Sequence, residues 1–304
     1  MRTPDSRLLV LDPELRTVRQ TFELPGEGGC AVRPDLSYAA VAGTDRITLV
    51  DRSGVVRWEV PHPAWTPRLG ATGSEGSCIF SHDGDRIWAV VPGDTGDDDE
   101  MWVLDAETGR VLDRASLGCV TTGSHMVLHP DRRHVGVELG APHDGWIGWA
   151  HLVNGRAVVT VRDARYEILA DIHPTGDRYL TMPIEEDVVM VRRFDDGLVS
   201  AARGGAETFG GDATFDTHGG YLDVDRIVAT AFEGPTVLLT ADTLELVDVV
   251  DYPEGAVTES PLPSGRGTWT TFQRASGRVQ LWRLQPATVA ASAAAPADRP
   301  ATRP

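Results

Sequence analysis

Two histidines and two glutamates, His125, His218, Glu75 and Glu259, carry the acid–base chemistry this sequence offers. An imidazole beside a carboxylate can move a proton near neutral pH, and the same donor set can hold a metal ion. A second group, His62, Trp65, Arg68, His143, Asp144 and Trp146, sets indole faces beside charge. That mixture suits a flat or cationic ligand held by stacking and electrostatics. Both groups have a plainer reading, because tryptophans also pack connecting segments onto a core and histidines also occupy turns. No nucleophile signature accompanies them: the chain lacks G-x-S-x-G, H-E-x-x-H and a glycine-rich phosphate loop after a strand. It also lacks lysine entirely, which removes Schiff-base chemistry, covalent pyridoxal attachment and the P-loop lysine together. No motif names a cofactor.

The formal net charge of the 304-residue chain is −17. Nucleic acid and anionic membrane would have to bind against that field, so neither is an expected partner. A protein partner or a small ligand, cationic ones included, is permitted. The three cysteines, Cys30, Cys78 and Cys119, are an odd number without metal-ligand spacing. With no apolar leader in "MRTPDSRLLVLDPELR" and no membrane-length run, the expectation is a soluble cytoplasmic protein with reduced thiols.

What would position the candidate residues is a repeat. "SHDGDRIWAVV" from Ser81 recurs as "RPDLSYAAVAG" from Arg33, "HPDRRHVGVEL" from His129 and "HPTGDRYLTMP" from His173. Weaker copies start at Tyr221 ("YLDVDRIVATAF") and Leu262 ("LPSGRGTWTTF"), so the starts lie 48, 48, 44, 48 and 41 residues apart. Each copy is an apolar run, a polar turn and an alternating β-rich run, and a second hairpin such as "MWVLDAETGRVLDRASL" follows. Four antiparallel strands in about 45 residues is the size of a propeller blade. No segment sustains a helical apolar period.

"SHDGDRIWAV" followed by "WVLDAETGRVL" resembles the SPDG-type repeats of the WD40-like and YVTN-like β-propeller superfamilies. The resemblance runs over roughly residues 8 to 285 and implies a fold, not a function. True WD40 signatures are missing, "LWRL" at 281–284 being nearest. The expectation is an all-β chain forming a single β-propeller over 1–285, with four-stranded antiparallel blades, six in number or alternatively seven. An Ala/Pro-rich disordered tail would follow over 286–304. The N-terminal segment would supply the outer edge of the last blade and close the ring. Six-bladed lactonases resemble such a ring in blade number, but their metal site leans on asparagine, and Asn154 stands alone here.

In such a blade, strands A to D place the A–B and C–D turns on one rim and the B–C and D–A connections on the other. The first set is short. The second contains the insertions at 61–76, 92–100, 140–149, 183–187 and 203–220, so that rim is the expected functional face. Aligned copies put Cys30, Cys78, Met126, Ala170, His218 and Glu259 at equivalent innermost positions, with Glu27, Glu75, His125 and Glu167 nearby. His125 or His218 with Glu75 or Glu259 would then converge at the channel mouth. Cys30 and Cys78 read as small buried hydrophobes, and His82, His129 and His173 as turn residues. The acidic runs Asp94–Glu100 and Glu185–Asp187 read as solvated loops rather than calcium sites, and Asp171, inside an apolar strand, as paired or facing the channel. Two functions remain open: a binding propeller for a partner protein or small ligand, and a small-molecule lyase, hydrolase or cyclase with a His/carboxylate pocket.

Overall fold

The polar turns close hairpins by one repeated geometry. The backbone N–H groups of Leu36, Gly84, Arg132 and Gly176 each bond the carbonyl three residues back, at 2.8 to 3.0 Å. All four residues sit in the left-handed region, at φ of 61°, 75°, 63° and 79°. Glycine fills that position twice without steric cost. At Gly176 the need is double, because a Cβ would lie 2.7 Å from the His129 ring.

The computed structural model describes residues 6–65, 76–140, 145–163, 167–184, 187–256, 258, 260–273 and 278–284. A two-stranded sheet comes first, β1 (Arg7–Leu11) and β2 (Val18–Glu23). The first full blade is β3 (Gly29–Val32), β4 (Tyr38–Ala42), β5 (Arg46–Asp51) and β6 (Val56–Pro61). The second is β7 (Ser77–Phe80), β8 (Arg86–Pro92), β9 (Asp99–Asp105) and β10 (Val111–Ser116). The third is β11 (Gly123–Leu128), β12 (Val135–Gly140), β13 (Gly145–Val153) and β14 (Arg156–Asp163). The fourth is β15 (Glu167–Ile172), β16 (Arg178–Pro183), β17 (Val188–Arg193) and β18 (Val199–Gly204). A short helix, α1 (Gly205–Phe209), leads to the fifth: β19 (Phe215–Tyr221), β20 (Arg226–Ala231), β21 (Thr236–Thr240) and β22 (Leu246–Val249). A three-stranded sheet ends the described chain, β23 (Leu262–Pro263), β24 (Thr268–Gln273) and β25 (Arg278–Arg283).

Every pairing is antiparallel between strands consecutive in sequence. This is a β-propeller of five four-stranded blades and two partial sheets. The partial sheets fill the space between the fifth blade and the first. Trp269 and Trp282 pack on Leu222, Val228 and Leu238, while Leu8 and Phe22 pack on Ala39, Val41 and Val50. Arg283 Nη2 and Glu14 Oε1, 2.9 Å apart, join the two. Counted as one shared blade they make six, and counted separately seven.

The core lies between blades, where alternate residues of each strand face one neighbour. Ala40, Ala42 and Leu49 of the first blade meet Phe80, Ile87 and Trp102 of the second, small residues opposite large ones. Polar staples cross the same interfaces at the short-turn rim. His82 Nε2 donates to the His129 carbonyl at 3.0 Å, His129 Nε2 to Gly176 at 2.9 Å, and His173 Nε2 to Val224 at 2.9 Å. Arg33, at the same turn position as His129, reaches Asp85 of the next blade at 3.7 Å. These turn residues therefore do more than shape their own hairpins. His173→Ala should lower unfolding stability by about 2–4 kcal/mol, through the cavity left by a buried ring and the loss of its bond to the next blade. Urea unfolding would read this as a lower midpoint with an unchanged slope.

Candidate functional site

Three innermost strands, β3, β7 and β11, border an open cavity of about 440 Å³. Its wall is largely apolar, with Cys30, Val32, Ile79, Met126 and Leu128, and its polar groups are Ser77, Ser124 and His125. Ser77 Oγ and Ser124 Oγ lie 2.5 Å apart and tie the second blade to the third. Cys78 turns its thiol to the Gly29 and Ala40 carbonyls, and burial, with Cys30 beside it, pushes that thiol up to about 12. Cys78 is thus a small core group, and Cys119 is likewise raised by burial to about 11.

His125 is the one imidazole on this wall, and it stands directly opposite Glu138 in the β11–β12 register. Residues so paired point to the same face with Cβ atoms about 5 Å apart. Neither side chain has a hydrogen bond or ion pair among the described residues. Burial pushes the Glu138 carboxyl up to about 7 and the His125 imidazole down. His125 is nonetheless open to solvent, as a side chain on a channel wall is, hemmed in by protein but still wetted. Both groups are therefore displaced toward their neutral forms, and Glu138 titrates close to neutrality.

His218, on β19, has a carboxylate partner of its own: its Nδ1 lies 2.9 Å from Asp216 Oδ1, with both side chains half-buried. Burial works to raise the Asp216 pKa, but the hydrogen bond and charge of His218 prevail and hold it low. His218 and His125 stand on innermost strands two blades apart, so the structure forms two separate histidine sites. Asp171 is paired, accepting the Ile172 and Tyr221 backbone N–H groups at 2.8 Å each, and burial raises it to about 6. Glu167 is committed to Arg192 through a two-pronged ion pair of 2.8 and 2.5 Å. Glu75 and Glu259 lie outside the described residues.

On the rim of long connections, residues 62–65 fold back onto the ring, with the His62 and Trp65 backbone N–H groups bonded to the Asp45 and Thr44 carbonyls at 2.9 and 2.8 Å. Trp65 is 5% exposed and packs with Trp88 and Val90. His62 is 8% exposed, donates Nδ1–H to the Pro63 carbonyl at 2.7 Å, and is held neutral by burial. Trp146 is half-buried on β13 against the same core cluster, and half of the expected 140–149 insertion, residues 145–149, is that strand. Arg68, His143 and Asp144 lie outside the described residues. The acidic run is not uniformly solvated. Asp99 is fully buried and accepts both the backbone N–H and the hydroxyl of Thr121, at 2.7 and 2.9 Å. Glu100 takes the Trp102 indole N–H at 2.7 Å, whereas Asp94 and Asp97 are exposed. Glu185 and Glu186 are outside the described residues, and Asp187 accepts the Gly205 and Phe215 N–H groups at 2.9 and 2.8 Å.

Two features escape a reading by motif. Glu138 interrupts the apolar strand "HVGVELG", and pairing that strand against "SHMVL" residue by residue would have placed it opposite His125. On the short-turn rim, His129, Asp131 and His134 bring donor atoms within 4.8 Å of one another. The signal there is H-x-D-x-x-H, a combination the other turn copies lack.

No protein-family model matches the chain, and no curated protein matches it by sequence. Among solved structures, Kuenenia stuttgartiensis hydrazine synthase is similar at TM-score 0.60 and 14% identity, over 92% of this chain and 90% of that one. The β-propeller domain of Myceliophteria thermophila Cps50 (Swd1) is matched at TM-score 0.44 and 11% identity, over 86% and 98%. At such identities the first likeness concerns the fold alone.

Two measurements check this geometry. Glu138 keeps its proton to higher pH when folded than when unfolded, so the native state binds more protons between about pH 4.5 and 7, and stability should fall as pH rises through that window. Glu138→Gln should flatten that fall and leave the protein more stable than the parent at pH 8, as read by urea titration. Cys78 should resist iodoacetamide at pH 8 in the native protein and react fully once denatured, read by mass spectrometry of its peptide.

Proposed function

We propose that this propeller binds a small molecule in the channel cavity between β3, β7 and β11, with His125 as its principal polar contact. The observation that carries this reading is the combination of room and chemistry at one place. A space of about 440 Å³ falls in the usual range of ligand pockets, with mostly apolar walls and a few convergent polar groups. His125 has no competing partner among the described residues, so both ring nitrogens are open to a ligand. The exposed carboxylates Asp94 and Asp97 and the net charge of −17 favour a neutral or cationic occupant over an anionic one.

A thermal-shift screen of metabolites, followed by calorimetry on each hit, tests this. His125→Ala should weaken binding by about three- to tenfold, the net size of one lost hydrogen bond. Ser124→Phe should abolish it by filling the cavity. Hits whose affinity survives both substitutions would place the ligand elsewhere.

A second reading, acid–base catalysis on that bound molecule, is favoured by the His125–Glu138 pairing. A carboxyl poised at about 7 beside a neutral imidazole can donate and accept protons at physiological pH. Turnover of any hit should fall by about 10²-fold or more in Glu138→Gln with binding retained. Equal turnover in the parent and in Glu138→Gln would leave a binding protein.

A further inference from the structure

We propose that the short-turn rim carries a second, independent site, for a divalent transition-metal ion of the zinc class, held by His129, Asp131 and His134. The three donor atoms already lie within 4.8 Å of one another, on one six-residue stretch, His129 to His134. His129 Nε2 donates its proton to the Gly176 carbonyl at 2.9 Å, which leaves the lone pair on Nδ1. That lone pair meets the Asp131 backbone N–H at 3.2 Å and, at 3.0 Å, the Asp131 Oδ1. Asp131 Oδ1 also accepts the Arg133 and His134 backbone N–H groups at 2.8 and 3.0 Å, and a cation between it and the Nδ1 lone pair would be attracted by both. On the other side Asp131 Oδ2 is 2.6 Å from His134 Nδ1. An imidazole whose second nitrogen is tied to a backbone carbonyl is the arrangement that orients histidine ligands in metal sites.

The repeat supplies an internal control. His173 occupies the same turn position in the fourth blade and makes the same bond to the next blade, but Thr175 and Arg178 stand where Asp131 and His134 do. The staple therefore requires neither. Aspartate at this turn position is ordinary, as Asp35 and Asp83 show, so the unusual element is a second imidazole on its far side. A further imidazole, His151, lies beside it, with ring centroids 4.5 Å apart and an Nδ1 that is buried without a hydrogen-bond partner. Two or three imidazoles with one carboxylate select zinc-class ions over calcium or magnesium, which prefer all-oxygen sites. The exposed Arg133 opposes a cation there, but solvent screens it.

The test uses the full chain stripped with chelator. Zn²⁺ alone is titrated by calorimetry, and Co²⁺ is added as a spectroscopic stand-in. The expected result is a single ion per chain, visible Co²⁺ bands of four-coordinate intensity, and affinity at least ~10-fold weaker in Asp131→Asn and His134→Gln. His218→Gln should bind as the parent does. Two results would overturn the proposal: parental Co²⁺ spectra identical to those of the aqueous ion, or Zn²⁺ affinity unchanged in both folded variants. The Co²⁺ spectrum of the parent decides the matter even if a variant fails to fold.

Discussion

The molecule depends on how each wedge is fastened to the next. Apolar faces between blades supply most of the attraction, but burial has no direction and tolerates sliding. Register is set at the short-turn rim, where a side chain from one blade donates to a backbone carbonyl of its neighbour. His82, His129 and His173 do this in succession, and Trp58 repeats it further out with the Ala106 carbonyl at 3.1 Å. Arg162 does the same to Asp195, also at 3.1 Å. Each bond ties a side chain of one blade to the backbone of the next. The rotation between blades is thereby fixed, and with it the positions of the innermost strands around the channel.

The two rims consequently serve different ends. The short-turn rim is dense with polar staples, and its spare side chains are few, which makes the extra imidazole at His134 conspicuous. The other rim carries connections that vary in length, because little fastening depends on them. Some of that length folds inward: Trp65 joins the core, and Asp99 ties its loop to Thr121. What remains for recognition is the channel wall, where His125 stands with Glu138 opposite it in register, neither with a partner among the described residues.

How much of this could be read from the chain follows from range. The hairpins were legible because their turns repeat locally, so blade order and the all-β ring could be inferred from "SHDGD" and its copies. His125 and His218 could be placed on inner strands for the same reason. Glu138 could not be found by motif, since its meaning lies in a cross-strand register and not in its own neighbours. The bridging role of His129 and His173 was equally hidden, because the accepting carbonyls belong to the next blade, 47 and 51 residues away. Trp65 and His62 looked like ligand contacts on a long loop, but large apolar surface on a connector is drawn to the ring whenever the loop can reach it.

One joint differs in kind from the rest. Every other neighbouring pair of sheets is linked by the polypeptide itself, whereas β25 and the β1–β2 hairpin come from opposite ends of the described chain, with Arg283 and Glu14, 269 residues apart, joined between them. Bringing together chain positions so distant has an entropic cost of about 5 kcal/mol, roughly 1.5 kcal/mol more than closing a single blade of about 45 residues. Assembly by successive wedges would therefore leave this latch to the end, and thermal opening would begin there. A ring of this design behaves as a clasped bracelet.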